Sequence, residues 1–305
     1  MNGTLDPQLY RQIGDCLMRA DVRTAMELIA AQEGLRELYQ QYADIFEREN
    51  YLTYDLPDVL NAILLCYQRY FRDIFYLKQP EREAENTLFS RLCALLHTDS
   101  TDEDVLGGAV EAAFAAEGLH ALAGKTNGCY GPYIWKTTVP VTYAVELPDG
   151  VCRYTVNILK DFIFRSWMDY LTFGTHGTGG WAGKDGSVNC VESAWDFESE
   201  KFRVSLLKHE AQHIRDMEKY PQMEPWELEY RAKLVELIYT EQNGLLAKFI
   251  GEAVSDRTED SHAVAACRLA EEMTDYVNQS TADIQKKAAE LFQKSNAEAE
   301  NKYRK

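Results

Sequence analysis

The stretch KHEAQHIRD, Lys208–Asp216, decides how this chain is interpreted, because two histidines and a glutamate occupy unexpected places on a helix. At about 100° per residue, a helical projection puts the apolar side chains in one arc: Phe202, Leu206, Ile214, Met217 and Tyr220. The long polar side chains gather on the opposite side: Lys208, Gln212, Arg215 and Lys219. His209, Glu210 and His213 fall inside the apolar arc, where we expect a buried face.

Polar groups on a buried face need compensation, because burying an unpaired carboxylate costs at least several kcal/mol. A metal ion provides it. Residues four apart are neighbours on a helix, so His209 and His213 can direct two imidazole nitrogens to one zinc ion at about 2.0–2.1 Å. Glu210 would then face the attacking water and take its proton, the chemistry of the His-Glu-x-x-His pattern. The alternative is a metal-free site in which both histidines are ordinary hydrogen-bonded core residues.

A catalytic zinc ion needs a third protein ligand and an open fourth position. After the turn YPQMEP, the segment PWELEYRAKLVELIYTEQ predicts a second helix with proline near its first position. This helix carries several carboxylates that could reach an ion. Asp216 and Lys219 exclude the metzincin continuation, which requires glycine and histidine at those two positions.

At this point the chain resembles the gluzincin metallopeptidases of the zincin-like superfamily. In these enzymes HExxH is followed by a glutamate ligand on a second helix, often within an E-x-x-A pattern, and Glu229–Ala232 fits that pattern. The resemblance covers about residues 199–239. It implies a zinc metallopeptidase in which His209, His213 and Glu229 bind Zn²⁺ and Glu210 is the general base and then the acid.

The resemblance leaves several positions open. Glu227 and Glu236 compete with Glu229 for the third ligand, and Glu224 or His176 are further alternatives. Lys233 stands where many relatives carry an aspartate that orients a histidine ligand, so that partner must come from elsewhere, with Asp216 or Glu236 as candidates. The oxyanion-stabilising group is also open, and the candidates that we name are Tyr239, His176 and His262.

The pattern along the chain predicts an α+β fold, mostly α, with a zincin-like core and a small antiparallel β-sheet. We expect a helical N-terminal region, 1–120, and a catalytic region, 121–305. The catalytic region divides into a β-rich part, 130–192, metal-binding helices, 199–251, and C-terminal helices, 258–303, the last of them solvated. Within the β-rich part, β-branched segments flank Pro148-Asp149-Gly150 and predict a hairpin. The resemblance also implies a strand that pairs with an extended substrate, for which SVNCV and CRYTVNILKDF are both candidates. The glycine-rich stretch 174–186 would then be one rim of the cleft, or else a surface loop.

Charge and composition limit the partners. There are 32 Lys and Arg against 49 Asp and Glu, which gives a net charge of −17 and disfavours nucleic acid and anionic membranes. The seven cysteines show no disulfide or zinc spacing, and the N-terminus shows no signal peptide, so we expect a cytoplasmic protein. A peptide or protein substrate is the expected partner. The alternative function is a catalytically retired, zincin-derived binding or regulatory protein that acts through its helical N-terminal region.

Overall fold

The computed structural model describes residues 7–183, 186–242, 244–253 and 261–304, and within them the fold is α+β and mostly helical. Six helices precede the sheet: α1 (Pro7–Met18), α2 (Val22–Ala30), α3 (Arg36–Phe46), α4 (Asp58–Phe71), α5 (Glu81–Leu96) and α6 (Glu103–Ala116). Six more helices come later in the described part of the chain, the first of them before the last two strands: α7 (Ser166–Leu171), α8 (His209–Lys219), α9 (Pro225–Tyr239), α10 (Leu245–Gly251), α11 (Ser261–Met273) and α12 (Thr281–Tyr303).

The described strands form one small sheet and one separate pair. They are β1 (His120–Leu122), β2 (Lys125–Thr126), β3 (Cys129–Tyr130), β4 (Tyr133–Leu147), β5 (Gly150–Arg165), β6 (Gly180–Ala182) and β7 (Val188–Val191). The order in the sheet is β1-β4-β5-β7-β6, and β2 pairs with β3. The predicted hairpin is present, because β4 and β5 are neighbours joined by Pro148 and Asp149 alone.

The chain forms two compact units. The first contains the described residues up to Thr138 together with Leu159–Thr178, and the second contains Val139–Ile158 together with the described residues from Gly179 onward. Each unit has its own buried apolar core. The sequence-based boundary at residue 120 stays a prediction, because compactness alone does not show which segments fold independently.

Helix α9 lies at the centre of the second unit, where eight consecutive residues, Tyr230–Leu237, are buried. It packs against α8, α11 and α12. A helix buried on every side cannot send its charged side chains to water, so each of them needs a partner inside the protein. This requirement determines the arrangement of the candidate site.

The buried face of α8 differs from the predicted one. Gln212 is fully buried, although it was placed on the water side, and Met217 is exposed, although it was placed in the core. A π-helical segment, Lys201–Lys208, leads directly into α8. Its wider turn changes the register that a regular α-helical projection assumes. The projection was therefore wrong for these two residues.

Helix α12 was predicted to be solvated, and this is wrong for one of its faces. Six of its residues are buried at helical spacing: Ile284, Ala288, Leu291, Phe292, Ser295 and Ala299. This stripe explains why a highly charged helix still packs against α9.

Residues 258–260 of the predicted C-terminal helices, and residues 184 and 185 of the glycine-rich stretch, lie outside the described residues. None of the described helices is both long and apolar enough to cross a membrane.

Candidate metal centre

Two histidines of α8 point their rings at the same place. The Nε2 atoms of His209 and His213 are 2.9 Å apart. Both side chains are largely buried, with 13% and 12% of their surface exposed. The i, i+4 spacing in the first turns of α8 produces this convergence, as the sequence predicted.

Glu229 of α9 completes a group of three. One carboxylate oxygen of Glu229 lies 3.4 Å from His209 Nε2 and the other lies 3.4 Å from His213 Nε2. A tetrahedral centre with bonds of about 2.0–2.1 Å places its ligand atoms about 3.3 Å apart. The three observed separations, 2.9, 3.4 and 3.4 Å, lie close to that value. Within the described residues, these three are the group of His, Cys, Asp and Glu that could hold a metal ion.

Glu236, one of the rival ligands, lies on the other side of His209. Its Oε1 is 2.7 Å from His209 Nδ1. An ionised carboxylate can only accept, so the imidazole Nδ1–H donates and the lone pair of a neutral ring is left on Nε2, facing Glu229. Histidine metal ligands commonly donate their second N–H to a carboxylate in this way. Glu236 thus matches the orienting role that was open after the sequence analysis.

The other candidate for that orienting role, Asp216, is engaged elsewhere. Its carboxylate accepts two hydrogen bonds from Arg231, at 2.7 and 2.8 Å. Lys233, which departs from the family pattern, donates to Glu252 at 2.6 Å. Lys233 is therefore held in a local ion pair, and the carboxylate that contacts His209 Nδ1 is that of Glu236.

The electrostatics of the cluster favour added positive charge. Burial lowers the pKa of His209, but the hydrogen bonds and charges of Glu229 and Glu236 outweigh it and raise the pKa to about 10. For Glu229, burial raises the pKa, but the histidines around it hold it far below its usual range. A histidine that binds a metal must be neutral. With both imidazoles neutral, Glu229 and Glu236 would leave two negative charges in a largely buried site, and a divalent cation would balance them.

His262 of α11 also reaches this cluster. Its Nδ1 lies 3.1 Å from Glu229 Oε2, and 61% of its side chain is exposed. It contacts the carboxylate and is not part of the three-residue group. Among the described residues, the second ring nitrogen of His213, Nδ1, is buried without a hydrogen-bond partner.

A cavity of about 210 Å³ opens beside the cluster. Glu210, His213 and Glu229 line it together, so the predicted base shares a space with two of the predicted ligands. Ala182, Ser187 and Val188, from β6, β7 and the segment between them, also line this cavity. Gly180 permits this hairpin, because a Cβ there would collide with the backbone oxygen of Asn189.

The remaining predicted residues are not part of the three-residue group. Glu227 accepts hydrogen bonds from Tyr303 and Lys302, and Glu224 is exposed at the N-cap of α9. The Tyr239 ring lies under Lys208, with Nζ 3.6 Å from the ring centre. His176 belongs to the first unit, where its Nδ1 lies 3.0 Å from Thr175 Oγ1.

Sequence reasoning missed two features of the site. Ile214 and Met217 were placed in the core, yet both line the cavity beside Glu210. Arg153 was not considered, although it lines an adjoining cavity. Side chains alternate between the two faces of a strand, and the neighbours of Arg153 in β5, Cys152 and Tyr154, are buried. This alternation could have predicted that Arg153 points away from the core.

Comparison with known proteins gives no relative. No family model matches the chain, and neither a curated protein nor a solved structure is significantly similar to it. The resemblance to gluzincins therefore depends on the motif residues alone.

Proposed function

We propose that this protein is a zinc-dependent peptidase of gluzincin type, with a zincin-like core. The observation that carries the proposal is the convergence of His209 Nε2, His213 Nε2 and the Glu229 carboxylate at nearly tetrahedral separations. Two imidazoles and one carboxylate are a common ligand set of catalytic zinc in peptidases.

The residues fit a bound Zn²⁺ in charge as well as in spacing. The buried charge of Glu229 and Glu236 matches a dication, and Glu236 holds His209 in the tautomer that a metal requires. When bound, zinc would polarise the carbonyl of the scissile bond and make water more acidic. The cavity beside Glu229 and His213 gives a substrate access to this point.

Glu210 is the residue to which we assign proton transfer. It lies one position after His209, so it projects from α8 into the cavity while the two histidines face Glu229. From there its carboxylate can accept a proton from the attacking water and return it to the leaving amine. His209, His213 and Glu229 hold their positions throughout, since each is fixed by the packing of α8 against α9.

The cavity wall suits an extended peptide. β6 is the last strand in the sheet order, and residues of β6 and β7 line the same cavity as Glu210 and Glu229. A strand at a sheet edge offers backbone groups to an additional strand. A peptide backbone that pairs there would present a carbonyl to the cluster.

The test compares the wild-type protein with Glu210→Gln on a mixed peptide library. We expect chelator-sensitive cleavage by the wild type, and a loss of about 10²–10⁴-fold in the variant with its zinc retained. Glu198→Gln, at an exposed position outside the cavity, is the matched control and should cleave normally. Undiminished cleavage by Glu210→Gln would remove Glu210 from the mechanism. Zinc binding without any cleavage would favour the retired, regulatory alternative.

A further inference from the structure

A second, larger cavity of about 630 Å³ adjoins the cavity lined by Glu210, His213 and Glu229. The two share a wall formed by five residues: Gly183, Gly186, Ser187, Ile214 and Met217. A ligand bound next to Glu210 can therefore extend into the larger cavity without leaving the protein surface. This second cavity has no role in the proposed proton transfer.

Strand β5 supplies one side of the larger cavity. Its residues alternate, so that Cys152, Tyr154 and Val156 are buried while Arg153 and Thr155 are more exposed. Arg153, Tyr154 and Thr155 all line the cavity. Farther along, the amide of Asn157 donates to Ser187 Oγ at 3.0 Å and to Asn189 Oδ1 at 3.2 Å. These hydrogen bonds tie β5 to β7 and fix the strand from which Arg153 projects.

Arg153 differs from the other arginine in this neighbourhood. Arg215 pairs with Asp149 at 3.1 Å, whereas Arg153 has no ion pair or hydrogen-bond partner among the described residues. Arg153 is also the only Lys or Arg among the described residues that line either cavity. The carboxylates that line them are Glu210, Glu218 and Glu229.

We propose that Arg153 binds a carboxylate of the peptide substrate and thereby determines specificity. This inference rests on the proposed function. A guanidinium presents paired N–H donors that match a carboxylate in a bidentate geometry. The other charged residues of the two cavities are carboxylates, and the net charge of the chain is −17, so both disfavour an anion. The preference for a substrate carboxylate should therefore be confined to the one substrate position that reaches Arg153. The carboxylate can come from an acidic side chain or from the peptide C-terminus.

Binding measurements separate the two sources. The protein carries Glu210→Gln and zinc, so that peptides are bound and not cleaved, and fluorescent peptides report affinity by anisotropy. One series has an amidated C-terminus and a single glutamate moved through every position. A second series has glutamine throughout with either a free or an amidated C-terminus. We expect one of these carboxylates to strengthen binding about tenfold over the amidated glutamine peptide.

Variants assign the effect to Arg153. Arg153→Ala should remove the tenfold difference, Arg153→Lys should keep part of it, and Arg153→Glu should reverse it. Arg203→Ala, at an exposed arginine outside both cavities, is the matched control and should leave it unchanged. A carboxylate preference that survives in Arg153→Ala, or the absence of any preference, would overturn the inference.

Cleavage by the protein with intact Glu210 is measured separately on the same peptides. Arg153-dependent binding without cleavage supports the specificity site and counts against the proposed activity. Cleavage that ignores the carboxylate in both the wild type and Arg153→Ala supports the activity and overturns the specificity site.

Discussion

Two charged clusters join α8 to α9, and they differ in whether they are complete. In one, Arg231 and Asp216 are buried, with 3% and 2% of their side chains exposed, and form a bidentate ion pair. Arg231 also donates to Ser295 at 2.8 Å and to Asn296 at 2.9 Å. This pair is neutral, and four of the five guanidinium N–H groups donate to other residues of the chain.

The second cluster lies nearby on the same two helices and lacks this balance. His209 and His213 point nitrogen atoms at each other, and the Glu229 oxygens stand 3.4 Å away, too far for strong hydrogen bonds. Glu229 and Glu236 bring two buried negative charges. The first cluster is neutral by itself, whereas the second is net negative whenever its imidazoles are neutral, and a bound cation would balance that charge.

The comparison distinguishes charged groups that stabilise the fold from charged groups that bind a metal. Substitutions in the neutral, hydrogen-bonded pair should lower the free energy of unfolding and leave metal affinity unchanged. Substitutions in the negatively charged cluster should lower metal affinity. Each of the following substitutions tests one side of that distinction.

Arg231→Met should have the largest effect on stability. It leaves the Asp216 carboxylate buried without its partner, which costs about 3–5 kcal/mol of unfolding free energy. Urea unfolding with chelator and with zinc should show the same loss, because Arg231 does not contact the metal cluster. The control is Arg304→Met, whose exposed ion pair with Glu300 should contribute less than about 1 kcal/mol. Adding Asp216→Leu should recover most of the loss, and a failure to recover would contradict the ion-pair explanation.

Glu236→Gln should weaken zinc binding about 10–100-fold, since it removes the carboxylate that orients His209. Competition with a chelating dye measures this affinity. The matched control is Glu227→Gln on the same helix, where the side chain is held by Lys302 and Tyr303 and should not affect zinc. Equal affinities in Glu236→Gln and wild type would mean that the contact at His209 Nδ1 is unrelated to metal binding.

His262→Ala should have the smallest effect, about two- to fivefold in zinc affinity. The side chain contacts the Glu229 carboxylate from a largely exposed position, and such a contact contributes about 0.5–1 kcal/mol. The same dye competition applies, with His176→Ala as the control. A loss greater than that of Glu236→Gln would show that His262 is itself a ligand.

Local geometry explains what the sequence could predict. The convergence of His209 and His213 needs only one turn of helix, and the hairpin at Pro148-Asp149-Gly150 needs only its turn residues and flanking β-branched segments. Both are present in the structure. The place of Glu229 followed from the family resemblance, and the structure brings that residue to the two histidines. Zinc binding and peptidase activity stay predictions.

Packing between distant segments explains what the sequence could not predict. The π-helical turn before His209 changed the buried face of α8, so Gln212 and Met217 were placed on the wrong sides. The partner of Asp216 depends on how α9 docks, and no local spacing reveals Arg231 at that point. Similarly, no local spacing reveals that strand β5 carries Arg153 to a cavity that adjoins the one lined by Glu210.

The central claim is tested most directly by measuring the zinc content of protein purified without added metal. Elemental analysis of the wild type should find about one zinc ion per chain, the content expected of a single three-ligand site. His213→Ala should contain almost none while keeping the helical circular dichroism of the wild type. Wild-type protein without stoichiometric zinc, or a His213→Ala variant that retains all of it, would contradict the account.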